Sequence, residues 1–558
     1  MEQETIAVKA YGGPDTPARN GLVLVVLVTL ALFVTLLNAA KPLTVDDSVY
    51  YLFAAHIAKN PLDPYGFQAW GVQDANTILA PPVFLYWWAS AVHLFGQEPT
   101  FWKLCLLPFN LLLVFMLHSL GHRFARGMEM LYVCVVTLSG AVLPCVNLML
   151  DIPALALSLL AVVLFLRACS ADSLSGVVVA GIVAALATQT KYTALLVPGV
   201  MILYGFLFGK WRLGLLASTL TVLLFGAWEL LIAWRYGHSH FWLACMQYRT
   251  PPLAKLELVQ PLFGYLGSTM AAALPLALAA LGQRARLVWA VVGLVVLVFA
   301  FVAFPPGAAL DFLRDSLNVY PYPKLTGVLF GLIGLSLAGA ITAIACRLKR
   351  RPLTVEGLPA RRWSFSVDSF LILWLLLEIG GYFALSPYSA TRRVLGIVAV
   401  GTLLTCRLAT LTCRNRAGLI WGIAGINFLL GLFLFAVDFN FYYGQQGMAR
   451  NLASECRKQD HGANIWYFGN GTFEFYGEQL GMRRLIAPGA VVSSGDWVLV
   501  VNGFEASYSR HPISSRCVLQ GTREWNSILP LRSQYQYGHA ALARLDEPLM
   551  QVSLYRVR

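Results

Sequence analysis

Long apolar runs alternate with short polar connections along most of the chain, and the connections are too brief to give those runs a wet face. Gly21 to Ala40 and Val367 to Leu385 each supply about 20 largely apolar residues, enough to cross a hydrocarbon core of roughly 30 Å. Helices of soluble proteins keep a polar stripe instead. The pattern predicts about thirteen spans, near 21–40, 101–120, 129–147, 151–168, 174–190, 192–209, 213–235, 262–282, 286–304, 324–346, 367–386, 392–410 and 417–437. Pro81 to Gly96 (PPVFLYWWASAVHLFG) is also apolar, but it is short and opens on two prolines. It reads as a helix lying in the interface or re-entering, with Trp87 and Trp88 at headgroup level. After Asp438 the apolar runs shrink to strand length. Ile465 to Phe468, Trp497 to Val501 and Leu549 to Tyr555 read as strands and Phe473 to Met482 as a helix, so 440–558 is predicted to be a small α/β domain. No internal repeat of the transporter kind is visible.

Composition agrees. Of 558 residues, 58% are hydrophobic and only 12% charged, about half the usual charged share of a soluble protein. The net charge of +13 does not point to nucleic acid, because Lys and Arg gather in the short connections, as the positive-inside rule expects. With 1–20 as a cytoplasmic tail and 21–40 as a retained signal-anchor, the basic loops at 122–126, 210–212, 284–286, 347–362 and 414–416 all fall inside. The longer segments 41–100, 236–261 and 305–323 fall outside, and the C-terminal domain with them. An integral membrane protein follows, its spans and loops covering 21–439. Eight of the ten cysteines lie in or beside apolar runs and read as small core residues. Cys456 and Cys517 lie in the polar tail, where a disulfide is an option if that tail faces an oxidising compartment.

This topology sorts the charged residues. Asp46 and Asp47 follow the first span, Asp151 opens the fourth, Lys191 lies between the fifth and sixth, and Arg392-Arg393 start the twelfth, all at the outer face. Ionisable groups in such places are functional candidates, though each also has an ordinary structural role open to it. Asp46 or Asp47 could cap a helix Ser48–Lys59, Asp151 could open a helix ahead of Pro153, and Lys191 could snorkel to the interface. Glu229 and Glu378 are the main charges inside spans. His238-Ser239-His240 is a compact pair without a nearby third ligand, and Asn470-Gly471-Thr472 has the form of a glycosylation acceptor.

The order of these features carries a resemblance. One span is followed by Asp46-Asp47-Ser48-Val49-Tyr50, then by Pro81-Pro82-Val83-Phe84-Leu85-Tyr86-Trp87-Trp88 and a helix closing at Leu94-Phe95-Gly96. Leu148-Met149-Leu150-Asp151-Ile152-Pro153 and Thr190-Lys191-Tyr192 through Pro198-Gly199 come later. Over roughly residues 20–440 this resembles the large membrane glycosyltransferases of the C-type fold, the superfamily of the protein O-mannosyltransferases and the bacterial lipid A aminoarabinose transferase. Trp466-Tyr467-Phe468-Gly469 with Phe473 to Gly477 is similar to the extracytoplasmic domain of bacterial members.

The resemblance implies an inverting enzyme that moves a sugar from a polyprenyl-phosphate donor to an acceptor hydroxyl at the outer face. The acceptor would be a lipid, a glycan or a protein, and the setting a bacterial inner membrane with a periplasmic C-terminal domain. Asp46 maps onto the expected catalytic carboxylate, with Asp47 and Asp151 as further acidic positions; Tyr50, Lys59, Lys191, Arg392 and Arg393 are candidates for substrate binding. Some such enzymes use a divalent cation at the acidic pair, and the sequence offers no ligand set that decides for or against one. Two departures stand out: Ala80 replaces a lysine before the paired prolines, and Asp47 replaces the more usual glutamate. A phosphate contact must then come from Lys59, Lys191 or Arg392. The chemistry also stands on elementary grounds. A carboxylate can take the proton of an attacking hydroxyl, and cations can stabilise a departing lipid phosphate. A transporter or lipid flippase, and a polysaccharide polymerase, are the competing readings.

Overall fold

The computed structural model describes residues 17–44, 46–247, 251–280, 293–294, 321–350, 358–412, 417–485, 490–526, 531–533, 541–543 and 548–558. Most of them are helical. Among the described residues, seven helices are long and apolar enough to cross a membrane: Asn20–Ala39, Pro99–Phe124, Asp151–Ala171, Trp211–Tyr236, Ser366–Leu385, Thr391–Thr410 and Trp421–Gln459. The helices within Lys255–Thr269 and Ala273–Ala279 make an eighth candidate, bent by 83°. Shorter apolar helices, Leu174–Thr188, Tyr192–Leu207 and Phe330–Ala343, stand where three more spans were expected. The chain is a polytopic helical membrane protein. Expected span 286–304 lies outside the described residues, apart from 293–294.

Local chemistry sets the helix ends. The hairpin between Asp151–Ala171 and Leu174–Thr188 turns on Asp172, at φ 48°, and on Ser173, whose side chain accepts the Gly176 N–H. That is an N-cap in its usual role. Expected span 129–147 is corrected: a helix covers only Glu129–Thr137, and a short turn follows at Leu143–Cys145. Irregular backbone survives at such depth only where protein covers it. Here Asn38 donates to Leu143 O at 3.1 Å, and the Lys41 ammonium to Pro144 O at 2.6 Å.

The segment from Pro81 to Gly96 forms the helix Pro82–Phe95, which is not among the candidate spans. Trp87 is 43% exposed, its indole N–H donating to Cys105 O at 2.9 Å. Trp88 is a correction. It is buried between Tyr51, Phe84 and Trp102, because Phe84, Leu85 and Trp88 fall on the packed face of the helix and Trp87 does not.

The expected span 417–437 belongs to one helix, Ala417–Gln459, which runs on past position 440. Beyond it lies the sheet domain. Two short strands, β1 (Gln68–Ala69) and β2 (Gln73–Asp74), pair in the segment between the helices Asp47–Lys59 and Pro82–Phe95. The C-terminal strands are β3 (Ile465–Phe468), β4 (Arg483–Arg484), β5 (Trp497–Val501), β6 (Cys517–Trp525), β7 (Leu531–Ser533), β8 (Ala541–Ala543) and β9 (Met550–Val557). Five of them form a sheet in the order β4-β3-β5-β9-β6, with β7 and β8 paired apart. β3 is parallel to β4 and β5, and β9 is antiparallel to β5 and β6. Alternation decides the packing. Ile465, Tyr467 and Leu499 join the large core shared with the spans, while Trp466, Phe468, Val498 and Val500 pack against Tyr508 and Ile513 on the other face. Both faces are covered, so β3 and β5 read as unbroken apolar runs.

The helix Gly471–Gln479 fastens this domain to the chain leaving the first span. Thr472 Oγ1 donates to Leu43 O at 2.6 Å, and Leu43 N donates to Tyr476 OH at 3.2 Å. The hydroxyl of the Asn470-Gly471-Thr472 tripeptide is thus buried and engaged. Cys456 and Cys517 are both free thiols.

Glycines let the helix Val259–Thr269 cross the helix Pro321–Arg350 closely. A Cβ on Gly267 would overlap Phe330 O, and one on Gly334 would overlap Phe263 O. Small residues at crossings serve this purpose in membranes. Gly267→Ala should therefore lower stability by roughly 1–3 kcal/mol, read as a lower melting temperature of the detergent-solubilised protein.

Candidate active site

A cavity of about 670 Å³ opens where several helices begin. Asp46 precedes the helix Asp47–Lys59, Asp151 opens Asp151–Ala171, Lys191 precedes the turn Tyr192–Leu195 that leads into Leu196–Leu207, and Arg392 with Arg393 precede Leu395–Thr412. All five line the cavity, together with Tyr50. Positive helix ends thus face a common space, a setting that favours anions.

The carboxylates are held by cations. Arg392 Nη1 lies 3.1 Å from Asp46 Oδ2, and Arg392 Nη2 donates to the Tyr388 hydroxyl at 2.6 Å. Lys191 pairs with Asp151. Asp46 sits at the N-cap position yet makes no capping bond; its carboxylate faces the cavity and is 26% exposed. Lys191 does not reach outward as a snorkelling lysine would, its side chain being only 16% exposed. Burial pushes its ammonium down to about 8, against the pull of Asp151. Arg393 lies over the Tyr388 ring at 5.1 Å, and its Nε is buried with no hydrogen-bond partner.

Two residues expected in the site lie elsewhere. Asp47 is fully buried and absent from the lining; it accepts from Thr44 N at 2.7 Å and Thr44 Oγ1 at 3.0 Å. Burial pushes its carboxyl up to about 6, although nearby Lys103 works the other way. Lys59, at the far end of the same helix, is exposed and also off the lining.

Other lining residues escaped the sequence reading. Lys255, whose Nζ donates to Ser386 O at 2.6 Å, is with Arg249 one of two Lys or Arg residues in the segment 236–261, and that was its only signal. Tyr388 lies one helical turn before Arg392 in sequence. Trp70 comes from the β1–β2 loop, Gln73 from β2 and Thr77 from the turn Ala75–Thr77 that follows, and nothing in their composition marks them.

Lys191, Lys255, Arg392 and Arg393 face only Asp46 and Asp151 in the lining. This donor set does not fit a divalent cation, since both carboxylates already hold a basic side chain. Among the described residues no three His, Cys, Asp or Glu side chains gather in a way that could hold a metal ion. His238 Nε2 sits 3.1 Å from Asn76 O, and the His240 ring packs on Tyr65 at 4.2 Å.

The interior carboxylates serve the scaffold. Glu229 accepts from Tyr192 OH at 3.0 Å, Ser239 Oγ at 2.6 Å and Phe241 N at 3.0 Å, fixing the loop that carries Phe241 to the cavity. Glu378 accepts from Trp374 Nε1 at 3.0 Å.

With this geometry in view, comparison with solved structures finds likenesses over most of the chain. ArnT from Cupriavidus metallidurans in the apo state is 15% identical with a TM-score of 0.44, over 97% of this chain and 98% of that one. The same protein bound to undecaprenyl phosphate gives 15% and 0.42, over 96% and 98%. The archaeal oligosaccharyltransferase AglB from Archaeoglobus fulgidus, in complex with an inhibitory peptide and a dolichol-phosphate, gives 14% and 0.46, over 88% and 71%. No family model and no curated protein matches. At such identities no residue role carries over, and the chemistry rests on the cavity itself.

The sheet domain also reaches the cavity wall. Arg484 pairs with Glu474 at 2.8 Å and lies over the Trp70 ring at 4.8 Å. Burial pushes the Glu474 carboxyl up to about 7, more than Arg484 pulls it down. A carboxyl raised on folding holds its proton in the folded state over a range where the unfolded chain has lost it. Its contribution is therefore full below about 4.5 and is lost as pH rises through about 7. Thermal unfolding of wild type should show a fall in stability across that window, and Glu474→Gln should flatten it; an unchanged slope in the variant would count against this assignment.

Proposed function

We propose that this protein is an inverting glycosyltransferase that moves a sugar from a polyprenyl-phosphate carrier to an acceptor hydroxyl at the outer face of the membrane. One observation carries the reading: a part-exposed carboxylate, Asp46, shares a cavity with Lys191, Arg392 and Arg393 at the ends of membrane helices. Such a site needs a substrate with an acidic proton-bearing side and an anionic side, and a lipid-phosphate sugar meeting an alcohol supplies both. The likeness to ArnT and AglB structures that hold undecaprenyl phosphate and a dolichol-phosphate is in keeping with it.

In this mechanism Asp46 accepts the acceptor's proton as its oxygen attacks the anomeric carbon. The bond from that carbon to the phosphate oxygen breaks on the opposite side, which inverts the centre. The electron pair leaves with the lipid phosphate, and Lys191, Arg392 and Arg393 stabilise the charge gained there. Asp151 keeps Lys191 in place, and Tyr50 lines the same cavity. The sheet domain, in this reading periplasmic in a bacterial inner membrane, lies on the same side as the chemistry.

Purified protein with a polyprenyl-phosphate-sugar donor tests the proposal directly. Asp46→Asn should lower turnover by roughly 10²–10⁴-fold while the protein still binds undecaprenyl phosphate; full activity in that variant would sink the assigned role. Because Lys191 loses its charge near pH 8, affinity for undecaprenyl phosphate should fall as pH rises through that value. Lys191→Arg should keep it level to higher pH, and a matching fall in the variant would remove Lys191 from phosphate binding.

A further inference from the structure

Trp70 is the least expected member of the cavity wall. It follows β1 with φ at 53°, a left-handed conformation that a bulky aromatic residue adopts only when its surroundings impose it. Those surroundings are in the C-terminal domain. The Arg484 guanidinium covers the Trp70 ring at 4.8 Å, and Glu474 holds Arg484 at 2.8 Å. The helix Gly471–Gln479 that carries Glu474 is itself tied to Leu43. A strained residue fixed by two separate parts of the fold is placed for use rather than left over.

The wall it belongs to differs from the rest of the cavity. Lys191, Arg392 and Arg393 make part of the lining cationic, whereas the segment after the helix Asp47–Lys59 contributes Trp70, Gln73 and Thr77, which carry no charge. Gln73 Nε2 donates to Thr77 Oγ1 at 3.2 Å, and Thr77 Oγ1 donates to Asp74 O at 2.7 Å, so the polar groups form one small network beside the indole. An aromatic surface bordered by amide and hydroxyl groups suits a ring with apolar C–H faces and peripheral hydroxyls. That is the chemistry of a sugar. We propose that Trp70, Gln73 and Thr77 form a neutral sugar-ring subsite, and that Arg484 and Glu474 are positioning residues through which the C-terminal domain holds Trp70 against the sugar. This deepens the glycosyltransferase reading and rests on it for the source of the ring, either the donor sugar or a glycan acceptor.

The test uses the full-length protein in nanodiscs, with Trp70→Ala, Trp70→Phe and Arg484→Ala beside wild type. Three probes separate the possibilities: undecaprenyl phosphate, the same lipid carrying a hexose, and free methyl hexosides observed by saturation-transfer NMR. The gain in affinity that the hexose adds to the bare lipid phosphate should drop about tenfold in Trp70→Ala. It should drop partly in Arg484→Ala, and Trp70→Phe should restore most of it, with bare lipid phosphate bound alike throughout. A donor gain that survives while Trp70-dependent contact with the free hexosides disappears assigns the ring to the acceptor and supports the subsite. Equal losses for lipid phosphate with and without its sugar, or hexoside contacts indifferent to Trp70, would overturn it. If wild type binds hexosides through Trp70 but no lipid phosphate, the subsite stands and the carrier-lipid reading falls.

Discussion

The cavity is organised by carboxylates held against cations from distant parts of the chain. Asp46 and Arg392 meet across 346 residues, and Asp151 and Lys191 across 40. A cation suits the C-terminal end of a helix, because the N-terminal end is already positive. Arg392 and Lys191 both stand at N-terminal ends, where a negative partner offsets the unfavourable setting. Asp46 and Asp151 supply it. Removing either carboxylate would not only delete a pair; it would leave cations facing positive helix ends in a confined cavity. The four charges therefore set one another's positions, and with them the starts of four helices.

A second charged layer lies beneath. Lys41 and Asp438 form a pair with no exposed surface at 3.0 Å, and Lys103 donates to Lys41 O and Pro42 O. Breaking such a pair by removing one partner costs roughly 3–5 kcal/mol. This layer joins the end of the first span, the irregular segment around Pro144 and the long helix Ala417–Gln459, so the chain at Lys41 and Pro42 is fixed from three sides. Adjacent carboxylates thereby acquire different environments. Asp47 is turned inward to Thr44, while Asp46 alone reaches the cavity.

How much of this was legible in sequence depends on the kind of signal each residue leaves. Periodicity and length located most of the long helices and the strands β3, β5 and β9; β3 and β5 are buried on both faces and read as apolar runs, whereas β9 alternates. These signals failed at 129–147, where apolar composition continues but the backbone does not stay helical, its carbonyls being satisfied by Asn38 and Lys41 from another helix. Lone charges beside spans pointed to Asp46, Asp151, Lys191 and Arg392. The same rule proposed Lys59 and Asp47, since sequence cannot tell which face of a helix turns to a cavity. Lys103 carried a signal too, as a lysine inside an apolar stretch. Trp70 carried none, because its place depends on Arg484 from a domain that begins hundreds of residues later.

The arrangement also bears on what kind of membrane protein this is. A conduit needs charges along its length, available to a passing ion or headgroup. Glu229 and Glu378, inside spans, instead accept hydrogen bonds from neighbouring side chains, and neither lines the cavity. Among the described residues, the charges that line the cavity are Asp46, Asp151, Lys191, Lys255, Arg392 and Arg393, beside a loop that the sheet domain grips through Trp70. A domain that reaches into a cavity wall is an expensive feature for a passage and a natural one for a catalyst. It lets the shape of the site depend on groups outside the membrane, where hydrogen bonds to a polar acceptor do not compete with lipid.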